Sequence, residues 1–132
     1  MSTTLIDTSS WIHALRQTGD DEVRQRLSQI VSAGEAVWCN AVRLELWNGA
    51  RGTVEKRRLK DFDDILPRLE IDEEVWQVAC SLAKASRSAG LTIPAIDLII
   101  FACARRHQVR LDHCDDHFEK LAKLAPSANG GT

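Results

Sequence analysis

Thr92-Ile93-Pro94-Ala95-Ile96-Asp97-Leu98-Ile99-Ile100-Phe101-Ala102-Cys103-Ala104-Arg105-Arg106 is the stretch around which the chain is organised. Between Pro94 and Ala104, Asp97 is the one residue that is not apolar. A helix that is hydrophobic nearly all round is buried on most sides. Proline suits the first turn of such a helix, where its missing N–H costs nothing. Asp97 therefore falls in or just after the first turn of a buried helix, where an unpartnered carboxylate costs several kcal/mol or takes up a proton. Two readings stay open on this segment alone. Asp97 is a capping or ion-paired acid satisfied by the helix N-terminus, or it is a metal ligand or catalytic carboxylate.

Upstream of this helix, Asp72 caps a predicted helix from Glu73 to about Ala89 that Gly90 stops, with Val75, Trp76, Val78, Ala79, Leu82 and Ala83 inward. Downstream, Val109-Arg110-Leu111-Asp112 reads as a strand, and Asp115-Asp116-His117-Phe118 leads into a last helix ending at Leu124. At the N-terminus, Thr4-Leu5-Ile6 is a short apolar strand closed by Asp7 and the capping residues Thr8, Ser9 and Ser10. Helices follow through Trp11 to Leu15 and from about Glu22 to Ala33, with Gly34 as a stop signal. Ala36-Val37-Trp38-Cys39 is a second strand with Asn40 as expected N-cap, followed by a helix ending near Asn48-Gly49. A basic helix from about Val54 to Ile65 and a short strand Leu69-Glu70-Ile71 after Pro67 complete the scheme. Strands alternating with helices imply a parallel sheet, so the fold class is α/β, in one domain over 1–132 whose Pro-, Ser- and Gly-containing tail from about 125 is expected to fray.

The 132 residues are 44% apolar and 27% charged, the composition of a globular domain large enough to bury a core. Nothing approaches an apolar run of about 18 residues, and Met1-Ser2-Thr3-Thr4 carries no signal-peptide pattern, so a cytoplasmic protein without membrane contact is expected. Cys39, Cys80, Cys103 and Cys114 form no CxxC pair and are expected to be reduced. A net charge of −2 gives no global attraction to nucleic acid, so such binding needs a local basic patch. Arg51, Lys56, Arg57, Arg58 and Lys60 supply one, unless they are a solvated helix face. The four tryptophans, Trp11, Trp38, Trp47 and Trp76, are read as core, with a partner-helix groove as the competing role.

On this scheme Asp7, Glu45, Asp97 and Asp115 each fall at a strand's carboxyl end or in the helix just beyond it, where open parallel sheets bind ligands. Carboxylates sharing a pocket repel and raise each other's pKa. A hard cation such as Mg²⁺ or Mn²⁺ relieves this and supplies the chemistry of metal-dependent nucleases: polarising a phosphate and activating water. Thr8 or Ser9 would complete or orient that shell. The crowding of His113, Cys114, Asp115 and His117 raises zinc, but the spacing fits no closed tetrahedral site, and His117 is read as a surface residue of the last helix.

Leu5-Ile6-Asp7-Thr8-Ser9-Ser10-Trp11-Ile12, Leu44-Glu45-Leu46-Trp47-Asn48-Gly49, Ile96-Asp97-Leu98-Ile99-Ile100-Phe101-Ala102 and Asp115-Asp116-His117-Phe118 resemble the four acidic motifs of a PIN domain. Their order and spacing, over nearly the whole chain, are similar to the VapC-type toxins of bacterial toxin–antitoxin pairs. The resemblance implies a three-layer sandwich with a central, mainly parallel sheet flanked by helices. It implies a Mg²⁺- or Mn²⁺-dependent endoribonuclease that hydrolyses RNA phosphodiester bonds, held in check by a VapB-like antitoxin and usually a homodimer. Asp7, Glu45, Asp97 and Asp115 match the family's catalytic and metal-binding acids, and Ser9 its small hydroxyl after the first. The Thr or Ser common two residues before the fourth acid is His113 here, and the family's final strand is hard to see in 125–132. A PIN-type housekeeping nuclease without antitoxin is the nearest alternative. A receiver-like phosphoacceptor domain is another, though it wants paired acids after strand one and a Lys directly after a late strand, whereas Asp7 stands alone and no Lys follows Val109-Arg110-Leu111.

Overall fold

The structure, a computed structural model, describes residues 2–124. The expected frayed tail and the family's final strand lie outside the described residues. In chain order the elements are β1 (Thr4–Ile6), α1 (Thr8–Leu15), α2 (Asp21–Ser32), β2 (Ala36–Cys39), α3 (Asn40–Asn48) and α4 (Gly52–Ile65). They continue with β3 (Arg68–Leu69), α5 (Glu73–Ser88), α6 (Ala95–His107), β4 (Arg110–Asp112) and α7 (Asp116–Leu124). A central parallel sheet is flanked by these helices, as the alternation implied.

The four strands run in the order β3-β2-β1-β4. Leu5 of β1 lies opposite Val37 of β2 and Leu111 of β4, and Trp38 of β2 lies opposite Arg68 of β3, all in parallel register. Every residue of β1 and β2 is buried, which explains why both read as unbroken apolar runs: each is covered on both faces. The chain steps outward from β1 through β2 to β3 and then returns to the far side of β1 for β4. That reversal makes β1 and β4 a topological switch point, and a crevice opens outside their carboxyl ends.

The central helix α6 buries Leu98, Ile100, Phe101, Ala102, Cys103 and Ala104 and packs against α5, α3 and α7. The Asp72 carboxylate caps α5 by accepting the Val75 N–H at 3.0 Å, and also accepts from Arg106 at the far end of α6. One acid thus ties the start of one helix to the end of the next. Gly90 follows α5 at φ +76°, a conformation open to glycine at no steric cost. The end of α6 carries no such signal, and there Gln108 takes up the left-handed conformation at φ 56°.

Four local expectations need correction. Trp76 is not inward but 45% exposed, because α5 buries Val75, Ala79, Leu82 and Ser86, a stripe one residue out of phase with it. Asn40 is not an N-cap. The strand runs straight into α3, so Cys39 takes that position without a side-chain cap. Pro94 is the N-cap of α6 and not a first-turn residue. The third strand is Arg68–Leu69, because the Pro67 carbonyl already accepts the Trp38 N–H, at 3.1 Å, and draws the pairing toward the N-terminal side. Of the other tryptophans, Trp11 and Trp38 are core, while Trp47 is part-buried and donates its indole N–H to Asp63 at 3.1 Å. All four cysteines are free, and no helix among the described residues is long and apolar enough to cross a membrane.

Candidate metal-binding site at the sheet switch point

β1 delivers Asp7 to the switch point, and the chain turns there into α1 with Asp7 as its N-cap. The two carboxylate oxygens have different surroundings. Oδ2 accepts the Ser9 backbone N–H at 2.9 Å and the Ser9 hydroxyl at 2.6 Å. Oδ1 is buried with no hydrogen-bond partner among the described residues, on a residue only 3% exposed. Burial pushes the Asp7 carboxyl above its ordinary pKa. The Ser9 bonds oppose that rise, and the nearby charge of Asp115 adds to it. A buried acceptor without a partner is costly in a folded protein.

The other three acids arrive from three helices and loops. Glu45, on α3, accepts the Thr8 hydroxyl at 2.6 Å. Burial raises its pKa, the Thr8 bond opposes this, and Asp7 and Asp97 raise it further. Asp97, in the first turn of α6, meets His117 with 2.8 Å between Oδ2 and Nδ1. Its carboxyl is also raised, chiefly by burial, against the lowering contact with His117 and with added repulsion from Asp7 and Asp115. Asp115 precedes α7, and its Oδ1 accepts the His117 backbone N–H at 2.9 Å. The same oxygen lies 3.2 Å from His117 Nδ1. Donor atoms of Asp97, Asp115 and His117 all fall within 4.8 Å of one another.

The four acids named from the sequence are thus electrostatic neighbours, and both hydroxyls support them: Ser9 holds Asp7, and Thr8 holds Glu45. Ser9 does more, since its oxygen accepts the Cys114 backbone N–H at 3.0 Å and pins the loop that carries Asp115. Asp97 makes a side-chain hydrogen-bond contact, but with a residue of the site itself. The donor set is rich in carboxylate oxygen, contains a buried oxygen with no protein partner, and holds raised carboxyl pKa values. Such a set fits a divalent cation.

His117 corrects the sequence reading: it belongs to the site and is not simply a surface residue of α7. Its signal was its place two residues after Asp115 at a helix start, which brings side chain and acid together. A second group escaped the sequence altogether. Ser10, fully buried, donates to Asp112 Oδ1 at 2.7 Å, and Arg26 grips the same carboxylate at 2.7 and 3.0 Å. The Asp112 carbonyl in turn accepts the Asp7 N–H at 2.9 Å, so this network anchors β4 and the loop beyond it to the first acid. His113, in the place of the family's usual hydroxyl residue, packs its ring 5.1 Å from that of Phe118.

Among the described residues, no hydrogen bond or ion pair joins the basic window to the four acids. Arg51 is the N-cap of α4, and Lys56, Arg57, Arg58 and Lys60 are exposed along it. Arg58 donates to the Ala14 carbonyl at the far end of α1, and Lys60 lies 3.8 Å from Asp64. Arg58 also borders a groove of about 530 Å³ between α1, α2 and α4. Trp11, Leu27, Val31 and Phe62 contribute apolar lining, and Arg16 and Arg24 join Arg58 there.

Fold and acids together define an α/β domain of the PIN type, and comparison with known proteins agrees. The PIN domain family matches residues 4–124. The chain is 34% identical over 125 residues to VapC ribonuclease Mb1587 of Mycobacterium bovis, covering 91% of this chain and 92% of that one. It is 30% identical over 123 residues to Ribonuclease VapC18 of Mycobacterium tuberculosis, covering 90% and 87%. Among solved structures, VapBC-1 from nontypeable Haemophilus influenzae aligns with a TM-score of 0.72 at 17% identity, covering 92% of each chain. FitAcB from Neisseria gonorrhoeae aligns at 0.71 with 17% identity, over 92% of this chain and 94% of that one. The chain belongs to the PIN-domain family, and the curated relatives it resembles are VapC ribonucleases.

Proposed function

We propose that this protein is a divalent-cation-dependent endoribonuclease acting as the toxin of a toxin–antitoxin pair in the cytoplasm. The observation that carries the reading is the buried, unpartnered Oδ1 of Asp7 among Glu45, Asp97 and Asp115. These four acids are the proposed catalytic and metal-holding residues, and Mg²⁺ or Mn²⁺ the proposed cation. When bound, the cation supplies positive charge to the phosphate and acidifies the attacking water. The chain's own work is positional. Ser9 and Thr8 fix the rotamers of Asp7 and Glu45, while Ser10, Asp112 and Arg26 hold the loop of Asp115 in register with β1.

Two partners follow from the same reading. The α1–α2–α4 groove, apolar inside and bordered by Arg16, Arg24 and Arg58, suits an antitoxin segment with apolar anchors and acidic flanks, the helix-in-groove mode of recognition. The complexes among the solved relatives, VapBC by name, support such an occupant. A homodimer is the second. The outer face of α5 sets exposed Trp76 and Cys80 between Glu73 at one end and Lys84 at the other. An antiparallel second copy of that face complements it in charge. Trp76→Glu is expected to shift the sedimentation of the protein from dimer to monomer with folding intact. A Trp76→Glu protein that remains dimeric places the interface elsewhere.

The function itself is tested by cleavage of single-stranded RNA. Protein stripped with EDTA should be inactive and regain cleavage on addition of Mn²⁺; equal cleavage in EDTA sinks the metal-dependent assignment. In a binding assay across a salt series, neutralising Arg57 and Arg58 together should weaken RNA binding and flatten its salt dependence, since each lost phosphate contact removes about 0.7 from the log–log slope on single strands. An unchanged slope moves these residues from RNA to the antitoxin groove or to solubility.

A further inference from the structure

His117 occupies a position that the four-acid scheme does not assign. Its Nδ1 stands 2.8 Å from Asp97 Oδ2 and 3.2 Å from Asp115 Oδ1, between two carboxylates that come from different elements. Adjacent ligands of an octahedral ion with bonds of about 2.1 Å are separated by about 3.0 Å, the edge of the octahedron. Both observed separations straddle that edge. Such spacings would let the imidazole hold one cation together with the two acids. Its backbone is fixed as well, because the His117 N–H is held by Asp115 Oδ1 at 2.9 Å at the start of α7. A second observation bears on the same acids: Asp7 Oδ1 is buried with no partner among the described residues, and the charge of Asp7 acts on Asp97.

We infer that His117 is a nitrogen ligand of the site and biases it toward a first-row transition cation such as Mn²⁺ over Mg²⁺. The inference rests on the metal-binding reading proposed above and specifies which cation that site selects. The physical reason is ligand softness. Mg²⁺ takes oxygen almost exclusively and dehydrates reluctantly, whereas imidazole nitrogen adds more to the affinity of transition ions. An all-carboxylate shell discriminates weakly between Mg²⁺ and Mn²⁺, and one imidazole in that shell tilts the balance. The tilt does not depend on the bulk of the histidine but on its nitrogen, so replacing it with an oxygen ligand of similar reach should remove the preference while keeping the site.

The test uses the whole EDTA-stripped protein and titrates Mn²⁺ and Mg²⁺ separately by calorimetry, with electron spin-echo spectroscopy of bound Mn²⁺. The parent protein should prefer Mn²⁺ and show nitrogen coupling to the bound ion. His117→Ala should lose at least about tenfold in Mn²⁺ affinity, the scale of removing a group that supports a metal site, and lose much less toward Mg²⁺. His117→Asp should bind both ions, without nitrogen coupling and with the Mn²⁺ preference gone, which separates a ligand exchange from a damaged fold. Parent protein that binds neither ion overturns the metal reading and this inference together. Parent protein that binds Mn²⁺ without nitrogen coupling overturns the role of His117 alone, and so does a His117→Ala protein with undiminished Mn²⁺ affinity.

Discussion

Asp97→Asn is expected to yield a folded protein at least as stable as its parent near neutral pH, whose RNA cleavage has fallen by roughly 10³-fold or more. The stability half follows from the direction of the Asp97 pKa. Burial and the charges of Asp7 and Asp115 outweigh the contact with His117, so the ionised carboxylate is a net cost to the unloaded fold. An acid with a raised folded pKa favours the folded state most at low pH and stops doing so as pH rises through that value. Once ionised, the parent carries the repulsion, and the amide does not. His117 keeps a carboxylate contact after the substitution, because Asp115 Oδ1 lies 3.2 Å from the same nitrogen. The activity half follows from charge: an amide is a poor substitute for a carboxylate in holding a divalent cation. Asp7→Asn should behave alike, and the double mutant should be little worse than either single, since residues acting as one unit are non-additive. A structural ion pair makes the opposite forecast, with stability lost and cleavage retained. Melting and Mn²⁺-dependent cleavage measured on the same Asp97→Asn sample decide it, and a destabilised, fully active protein would sink the catalytic assignment.

Mn²⁺ at a hundredfold excess over its Kd should stabilise the EDTA-stripped protein by about 2.7 kcal/mol at neutral pH, which for a chain of this size is a rise in Tm of roughly 10 °C. The effect should fade on acidification. Asp7, Glu45 and Asp97 all have raised pKa values and must be ionised to hold the cation. Protons therefore compete with metal as pH falls through those raised values, and the stabilisation disappears at a higher pH than ordinary carboxylates would dictate. The unloaded protein should show the reverse trend from the same three groups, gaining stability as they protonate. Melting curves with and without Mn²⁺ across an acid-to-neutral pH series measure both. A Tm indifferent to millimolar Mn²⁺ at neutral pH counts against a shared site, and so does a metal effect that persists unchanged into acid.

Much of this molecule is legible without coordinates, and the legible part has a common cause. The buried strands Thr4–Ile6 and Ala36–Cys39 are continuous apolar runs because both faces are covered. Asp97 stands out because it interrupts apolar sequence where only a partner or a ligand can justify a charge, and Asp7 because it closes a buried apolar strand. The capping residues Asp72, Gly34 and Gly90 end or begin helices through bonds or dihedrals that belong to their own few residues. Local chemistry of that kind is written in local sequence.

The element order, the parallel class and the four candidate acids could all be read from the chain alone. Which way Trp76 faces was settled by packing, since a helix stripe one residue out of phase leaves it half exposed. That His117 joins Asp97 and Asp115 was settled by the approach of α7 to α6, twenty residues apart in sequence. The grip of Arg26 and Ser10 on Asp112 spans 86 and 102 residues, and no spacing rule reaches so far. Arg58 reads as one more cation of a basic helix until α1 supplies the Ala14 carbonyl beside it. These side chains take their roles from partners brought close by sheet order and helix packing, and such contacts exist only once the whole chain has folded.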